Sequence, residues 1–141
     1  MLRYDSLVKE THVICCHCAL ARTGLVVFNP DHLELFTENK SLGAKMSASV
    51  VTYYYNPHID YKTDVIPSKS NPLLLCPTKE RAIVECIKFI KYVDEGLLIE
   101  ALQSYINNFW DNRIYTVGDH FGVNKETLDY WFEEARNEYE M

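Results

Sequence analysis

Long apolar runs are missing from this chain. The longest are only a few residues, such as Leu73-Leu74-Leu75, far short of the roughly 18–20 that a membrane-crossing helix needs. An apolar signal core is missing too: the first ten residues, MLRYDSLVKE, mix charges of both signs, so secretion is not indicated and a cytoplasmic location is expected. Glycine is scarce, five in all, and none stands in a G-x-G-x-x-G or P-loop context. A phosphate-cradling loop built from backbone N–H groups is therefore not expected. The five cysteines are odd in number and two are adjacent, which does not resemble a disulfide framework and suits a reducing compartment. Positive charge is short, with 14 Lys and Arg against 20 Asp and Glu. The shortfall is local: residues 1–75 hold seven basic and seven acidic side chains, and 76–141 hold seven and thirteen. An acidic half repels a phosphate backbone, so a basic protein partner is easier to accommodate than DNA.

What remains is an ordinary globular composition, 48% hydrophobic and 24% charged over 141 residues. That length allows one domain, or a body with a small helical unit, with a real core. Residues 12–21 are apolar and small, follow Thr11 as a plausible N-cap, and read as a short helix, with Gly24 placed to close it in the left-handed conformation. Residues 25–28 begin an extended segment, and Asn29-Pro30-Asp31-His32 has turn chemistry. Residues 33–37 alternate apolar and polar, a strand with one buried face. Residues 50–55, rich in β-branched and aromatic side chains, read as a second strand, and short strands around Val65-Ile66 and residues 73–75 complete a small antiparallel, twisted sheet.

From Pro77 the period turns helical. Thr78 caps, and Ala82, Ile83, Cys86, Ile87 and Ile90 form one stripe. Residues 97–109 carry a broad apolar face. Thr116 is expected to cap a helix over 117–121, Gly122 to turn the chain, and Asn124 to cap a helix from Lys125 to about Glu138. The fold class expected is α+β, a small antiparallel sheet flanked by helices. A body over 1–110 carries a helix-turn-helix-like extension over 111–141.

The run His12-Val13-Ile14-Cys15-Cys16-His17-Cys18-Ala19-Leu20-Ala21-Arg22-Thr23-Gly24-Leu25, then Pro30 and residues 33–37, resembles an arrangement in the AbiEi-type antitoxins. There a small-residue helix with an Ala-Leu pair ends in Gly-Leu and a strand follows. The run Cys76-Pro77-Thr78-Lys79-Glu80-Arg81-Ala82-Ile83 looks like the same family's Pro-x-x-Glu-Arg-Ala-Leu segment. The resemblance covers residues 11–110. It implies a non-enzymatic body that counters a cognate nucleotidyltransferase-like toxin, in a protein whose full form carries an N-terminal winged helix for operator DNA. Only about ten residues precede the first matched segment, so a reduced relative without that head is expected. Gly24, Pro77, Glu80 and Arg81 are then motif residues, with Arg81 bracing strand carbonyls and Glu80 favouring the helix terminus.

Other constellations compete with this reading. His12, Cys15, Cys16, His17 and Cys18 invite zinc, but on a helix only His12 with Cys15 or Cys16 has chelating spacing; buried apolar cysteines are the expectation, with no metal and no cofactor. Cys18, His58 and Asp60 make a nucleophilic set only on paper. Residues 115–131 resemble a helix-turn-helix that places Lys125 and Thr127 where base contacts are made, the basis of an alternative reading as a DNA-binding regulator. Glu126, Asp129, Glu133 and Glu134 crowd that helix. The acidic helix reads first as a solvated surface, although Tyr130 and Trp131 beside Glu133 and Glu134 would suit a protein interface.

Overall fold

Two pairs of strands that are distant in sequence run parallel. β1 (His12–Val13) pairs with β5 (Leu74–Pro77) in the register His12↔Leu74 and Val13↔Leu75. β2 (Leu33–Thr37) pairs with β3 (Val51–Tyr55) from Leu33↔Val51 to Thr37↔Tyr55. β4 (Val65–Pro67) joins β5 antiparallel. An antiparallel bridge between Ile14 and Leu35 links the two sets, and the Cys15 N–H donates to the Glu34 carbonyl at 3.0 Å. The described strands thus form a mixed three-stranded sheet, ordered β1-β5-β4, and a two-stranded parallel sheet, β2-β3, with the Ile14–Leu35 bridge between them. The computed structural model describes residues 5–27, 32–41 and 51–140. The class is α+β, but the strands are mixed where the sequence reading expects an antiparallel sheet. Connection length is the reason: residues 38–50 between β2 and β3 are about the dozen that a parallel crossover needs, and more than a hairpin uses.

The segment 12–21 is not one helix capped by Thr11. His12 and Ile14 donate their N–H groups to the Leu73 and Leu75 carbonyls, both at 2.9 Å, so an apolar run that suits either conformation is claimed by the sheet. Cys16 then takes φ +56°, a conformation uncommon outside glycine, and turns the chain into α1 (Cys16–Arg22). Cys15, at the N-cap, provides no side-chain hydrogen bond. Thr23 ends the helix and Gly24 follows at φ +79°. The Gly24 and Leu25 N–H groups return to the Ala21 and Leu20 carbonyls, both at 3.1 Å, a Schellman closure that glycine adopts at low cost. The residues 28–31 of the expected extended segment and turn, and residue 50 of the second strand, lie outside the described residues.

α2 (Lys79–Lys88) is capped by Thr78, whose hydroxyl accepts the Arg81 N–H at 3.3 Å. α3 (Glu95–Asn108) is capped by Asp94 onto the Gly96 N–H at 3.1 Å. α4 (Arg113–Phe121) starts a turn earlier than Thr116, because Asp111 accepts the Arg113 N–H at 2.9 Å. Gly122 closes it at φ +83°. Asn124 accepts the Thr127 N–H at 2.8 Å and opens α5 (Lys125–Glu140). α1 and α2 pack on each other and on the sheet, α3 and α4 on α2, and α5 on α3 and α4. One core runs through them, from Leu35, Leu74 and Ile83 to Leu102, Ile114 and Phe132. The C-terminal helix pair therefore shares the body's core. At its crossing Gly118 leaves no room for a side chain: a Cβ there would stand 2.6 Å from the Val123 carbonyl oxygen and 2.8 Å from Leu128 Cδ1. Among the described residues no helix is long and apolar enough to cross a membrane.

Candidate functional site

Pro77, Glu80 and Arg81, three of the four motif residues, lie where β5 becomes α2. Pro77 ends β5 opposite Val65. Arg81 is fully buried, and its Nη1 donates to the Thr63 carbonyl at 2.8 Å. That carbonyl belongs to the loop before β4, so the brace grips a loop rather than a strand. Arg81 Nη2 donates to Glu85 Oε2 at 3.3 Å, and the guanidinium lies 4.6 Å from the centre of the Phe121 ring. Its Nε is 3.1 Å from Glu85 Oε1 but out of line, leaving both atoms buried without a hydrogen bond. Burial pushes the Glu85 carboxyl up against the pull of Arg81.

Glu80 does more than complement the helix end. Its Oε2 accepts the Tyr105 hydroxyl of α3 at 2.8 Å, and its Oε1 accepts Arg113 Nη2 of α4 at 2.7 Å. Burial, then the Glu80 hydrogen bond, raises the Tyr105 phenol. Arg113 Nη1 reaches Asp64 Oδ1 at 2.5 Å, and the same oxygen accepts the Thr78 hydroxyl at 3.1 Å. Arg113 thereby ties the C-terminal helix pair to both the loop before β4 and the start of α2. A second tie joins His120 Nε2 to Asp60 Oδ2 at 2.7 Å. Burial works to raise Asp60, but the bonds from His120 and the Lys62 and Thr63 N–H groups outweigh it and hold the carboxyl well below its ordinary range. Gly24 sits at the end of α1, and the preceding Arg22 and Thr23 share with Cys76, Pro77 and Glu80 the wall of a solvent-open hollow of about 440 Å³. The segments around residues 22–23 and 76–80, distant in sequence, therefore meet. Arg22 itself is held by Asp5 through bonds of 2.8 and 3.1 Å.

The sequence reading gives β2 one buried face, yet all five of its residues are buried. Glu34 is tolerated there because it caps α1 from outside the helix. Its Oε1 accepts the Cys18 N–H at 3.0 Å, its Oε2 accepts the Tyr54 hydroxyl at 2.8 Å, and His17 Nδ1 lies 3.1 Å from Oε2. Burial alone would raise Glu34; His17, Tyr54 and the Cys18 N–H together lower it. The Glu34 bond in turn raises the His17 imidazole against burial. His17 Nε2 accepts the Asp94 N–H at 2.9 Å, which sets the single ring proton on Nδ1 and leaves that nitrogen pair committed to structure.

The cysteine and histidine cluster is dispersed by the strand-to-helix turn. His12, on β1, places Nδ1 3.1 Å from the Phe36 carbonyl, while Cys15, Cys16 and Cys18 are buried free thiols. The Cys18 thiol contacts the His32 carbonyl at 3.0 Å and is pushed up to about 12 by burial. Among the described residues no three His, Cys, Asp or Glu side chains are grouped to hold a metal ion. Asp60, the acid of the set with Cys18 and His58, is bonded to His120.

On α5, Leu128, Phe132 and Ala135 enter the core. Lys125 is exposed but engaged, its Nζ 2.7 Å from Asp129 Oδ2 and 4.8 Å from the Tyr115 ring centre. Thr127 is exposed. Tyr130 is 58% exposed, Trp131 is half-buried against it at 5.7 Å between ring centres, Glu133 is exposed and Glu134 partly so. Sequence reasoning missed Glu34, Asp64, Tyr105 and Arg113. Each sits on a locally unremarkable helix, strand or loop, and only the tertiary arrangement brings it to its partner. No protein-family model matches the chain, and no curated protein matches it either.

Proposed function

We propose that this chain is a non-enzymatic, antitoxin-like interaction module that counters a nucleotidyltransferase-like toxin encoded beside it. The observation that supports this reading is the meeting of Arg22 and Thr23 with residues 76–80 around one hollow, on helices α1 and α2 that both pack against β5. Two short motifs matched separately carry little weight; two that meet in space behave as one unit. Glu80 and Arg81 act in this reading as geometry-fixing residues, since their polar atoms are engaged by Tyr105, Arg113, Thr63 and Glu85. Catalysis forms no part of the proposal, and the histidines at 17 and 120 serve as structural ties. Co-expression tests it: the chain is expected to restore growth to cells making the toxin-like protein, and continued growth arrest at matched expression contradicts it.

A DNA-binding reading has its own observation in favour, the close α4–α5 approach at Gly118 with the left-handed Gly122 turn, two features that a helix-turn-helix would use. Charge opposes it. Lys125, at the start of the would-be recognition helix, is neutralised by Asp129, and Glu126 stands beside it. A groove lined with phosphates repels such a helix. An electrophoretic shift at low salt with upstream DNA, abolished by Lys125→Glu, favours this second reading.

A further inference from the structure

We infer that the outward face of α5 is a docking surface for an arginine-bearing basic segment of a partner protein. The inference rests on the interaction-module reading and specifies where and what it binds. Glu126, Tyr130, Glu133, Glu134 and Asn137 recur at i, i+4, i+7, i+8 and i+11 along α5, so they share one helical face. The opposite face, Leu128, Phe132 and Ala135, is locked into the core, and Gln103 of α3 donates to the Ala135 carbonyl at 3.1 Å. The outward face is therefore presented by a fixed helix, which lowers the ordering cost of association.

Its chemistry selects the partner. Tyr130 is a large ring standing 58% exposed at the middle of the face. Around it, Glu126 and Glu134 have no hydrogen bond or ion pair among the described residues, and Glu133 has only a long 3.9 Å contact to Arg136. Arg136 reaches the face only through that long contact, and the other cations on the helix pair are engaged elsewhere, Lys125 by Asp129 and Arg113 by Asp64 and Glu80. An aromatic face ringed by unneutralised carboxylates matches a guanidinium, which stacks on a ring and offers paired donors to carboxylates; an ammonium does so less well. Nucleic acid is repelled by the same carboxylates.

Calorimetric titration of the full chain tests this with three probes: a helical peptide bearing Arg at i and i+4, its Lys counterpart, and the toxin-like protein encoded beside the chain. The Arg peptide is expected to bind more tightly than the Lys peptide. Tyr130→Ala should weaken it about 10-fold, as removal of an aromatic anchor does, and the triple variant Glu126→Lys, Glu133→Lys, Glu134→Lys should abolish it. Glu126, Tyr130 and Glu133 are exposed and Glu134 is partly so, none of them in the core, so both variants should melt within a few degrees of the parent. Equal affinity for both peptides, or no effect of Tyr130→Ala, overturns the docking surface, as does self-association of the chain that the triple variant removes. Parent-like binding of the toxin-like protein by the triple variant overturns the surface but leaves the interaction reading standing. The reverse outcome, a parent chain that binds the Arg peptide but not the toxin-like protein, overturns the interaction reading and leaves the surface.

Discussion

Replacing Glu34 by Gln isolates the role of one buried carboxylate. The change keeps size and shape but removes the charge from a side chain that three groups address: the Cys18 N–H, the Tyr54 hydroxyl and His17 Nδ1. Hydrogen bonds to a charged group contribute about 1.5–3 kcal/mol and neutral ones about 0.5–1.5; glutamine keeps one acceptor oxygen, so with that oxygen toward Tyr54 and His17 two bonds are downgraded and the Cys18 N–H loses its acceptor, about 3–5 kcal/mol together. Loss of negative charge at the α1 N-terminus adds about 0.3–1 kcal/mol, and relief from burying an ion offsets part of the total. A net loss of about 2–3 kcal/mol at pH 7 corresponds to a melting temperature roughly 5–12 °C lower for a chain of this size. The pH dependence has a definite sign. Glu34 is held below its ordinary value in the folded state, so its contribution is full above the unfolded carboxylate pKa of about 4.3 and is lost as pH falls through the folded value. Urea unfolding of parent and Glu34→Gln between pH 3 and 7 should show a gap that closes in acid. A gap that is absent at pH 7, or constant across the range, refutes the external-cap argument.

Other consequences separate packing from backbone effects. Gly118→Ala forces a methyl against the Val123 carbonyl and should cost about 1–3 kcal/mol by overpacking. At Gly24 a Cβ meets nothing within 4 Å, so Gly24→Ala should cost only the left-handed backbone, about 1–2 kcal/mol; thermal melts that rank Gly24→Ala well above Gly118→Ala in cost contradict the crossing geometry. Arg81→Ala strands Glu85 in the core and should destabilise by about 3–5 kcal/mol, whereas Arg81→Met with Glu85→Leu should recover most of it. Denaturant curves in which the double variant is no better than the single one count against a buried pair. The Asp60 carboxyl, held low by its hydrogen bonds, should keep its tie to His120 as acid is added until below the ordinary aspartate range. NMR titration that finds an ordinary aspartate at position 60 contradicts that tie.

Helical periodicity made α2, α3 and α5 legible, because each buries one stripe: Ala82 and Ile83, Leu98 and Leu102, Leu128 and Phe132. The Thr78 and Asn124 caps were legible for the same local reason, a side-chain oxygen just ahead of a helix. The β1–α1 boundary was not, since the run from His12 to Ala21 is apolar in either conformation and its strand pairing comes from Leu73 and Leu75, far along the chain. Parallel pairing left one trace, the long stretch 38–50 between two strands. Glu34 looked like the solvent side of an alternating strand; its burial depends on a helix end that no local pattern announces. The polar ties of Arg113 and Asp64 are likewise products of assembly, and an exposed Tyr130 among acids was readable from helical spacing alone.

The central claim is that the chain works by holding another protein. Mixing the purified full chain with a purified nucleotidyltransferase-like toxin, the proposed partner, and following the mixture by size-exclusion chromatography with light scattering, addresses it directly. A stable complex that dissociates as salt is raised is the expected result, as an acidic docking face requires. Two proteins that elute separately at every salt concentration, with the chain shifting upstream DNA instead, contradict it.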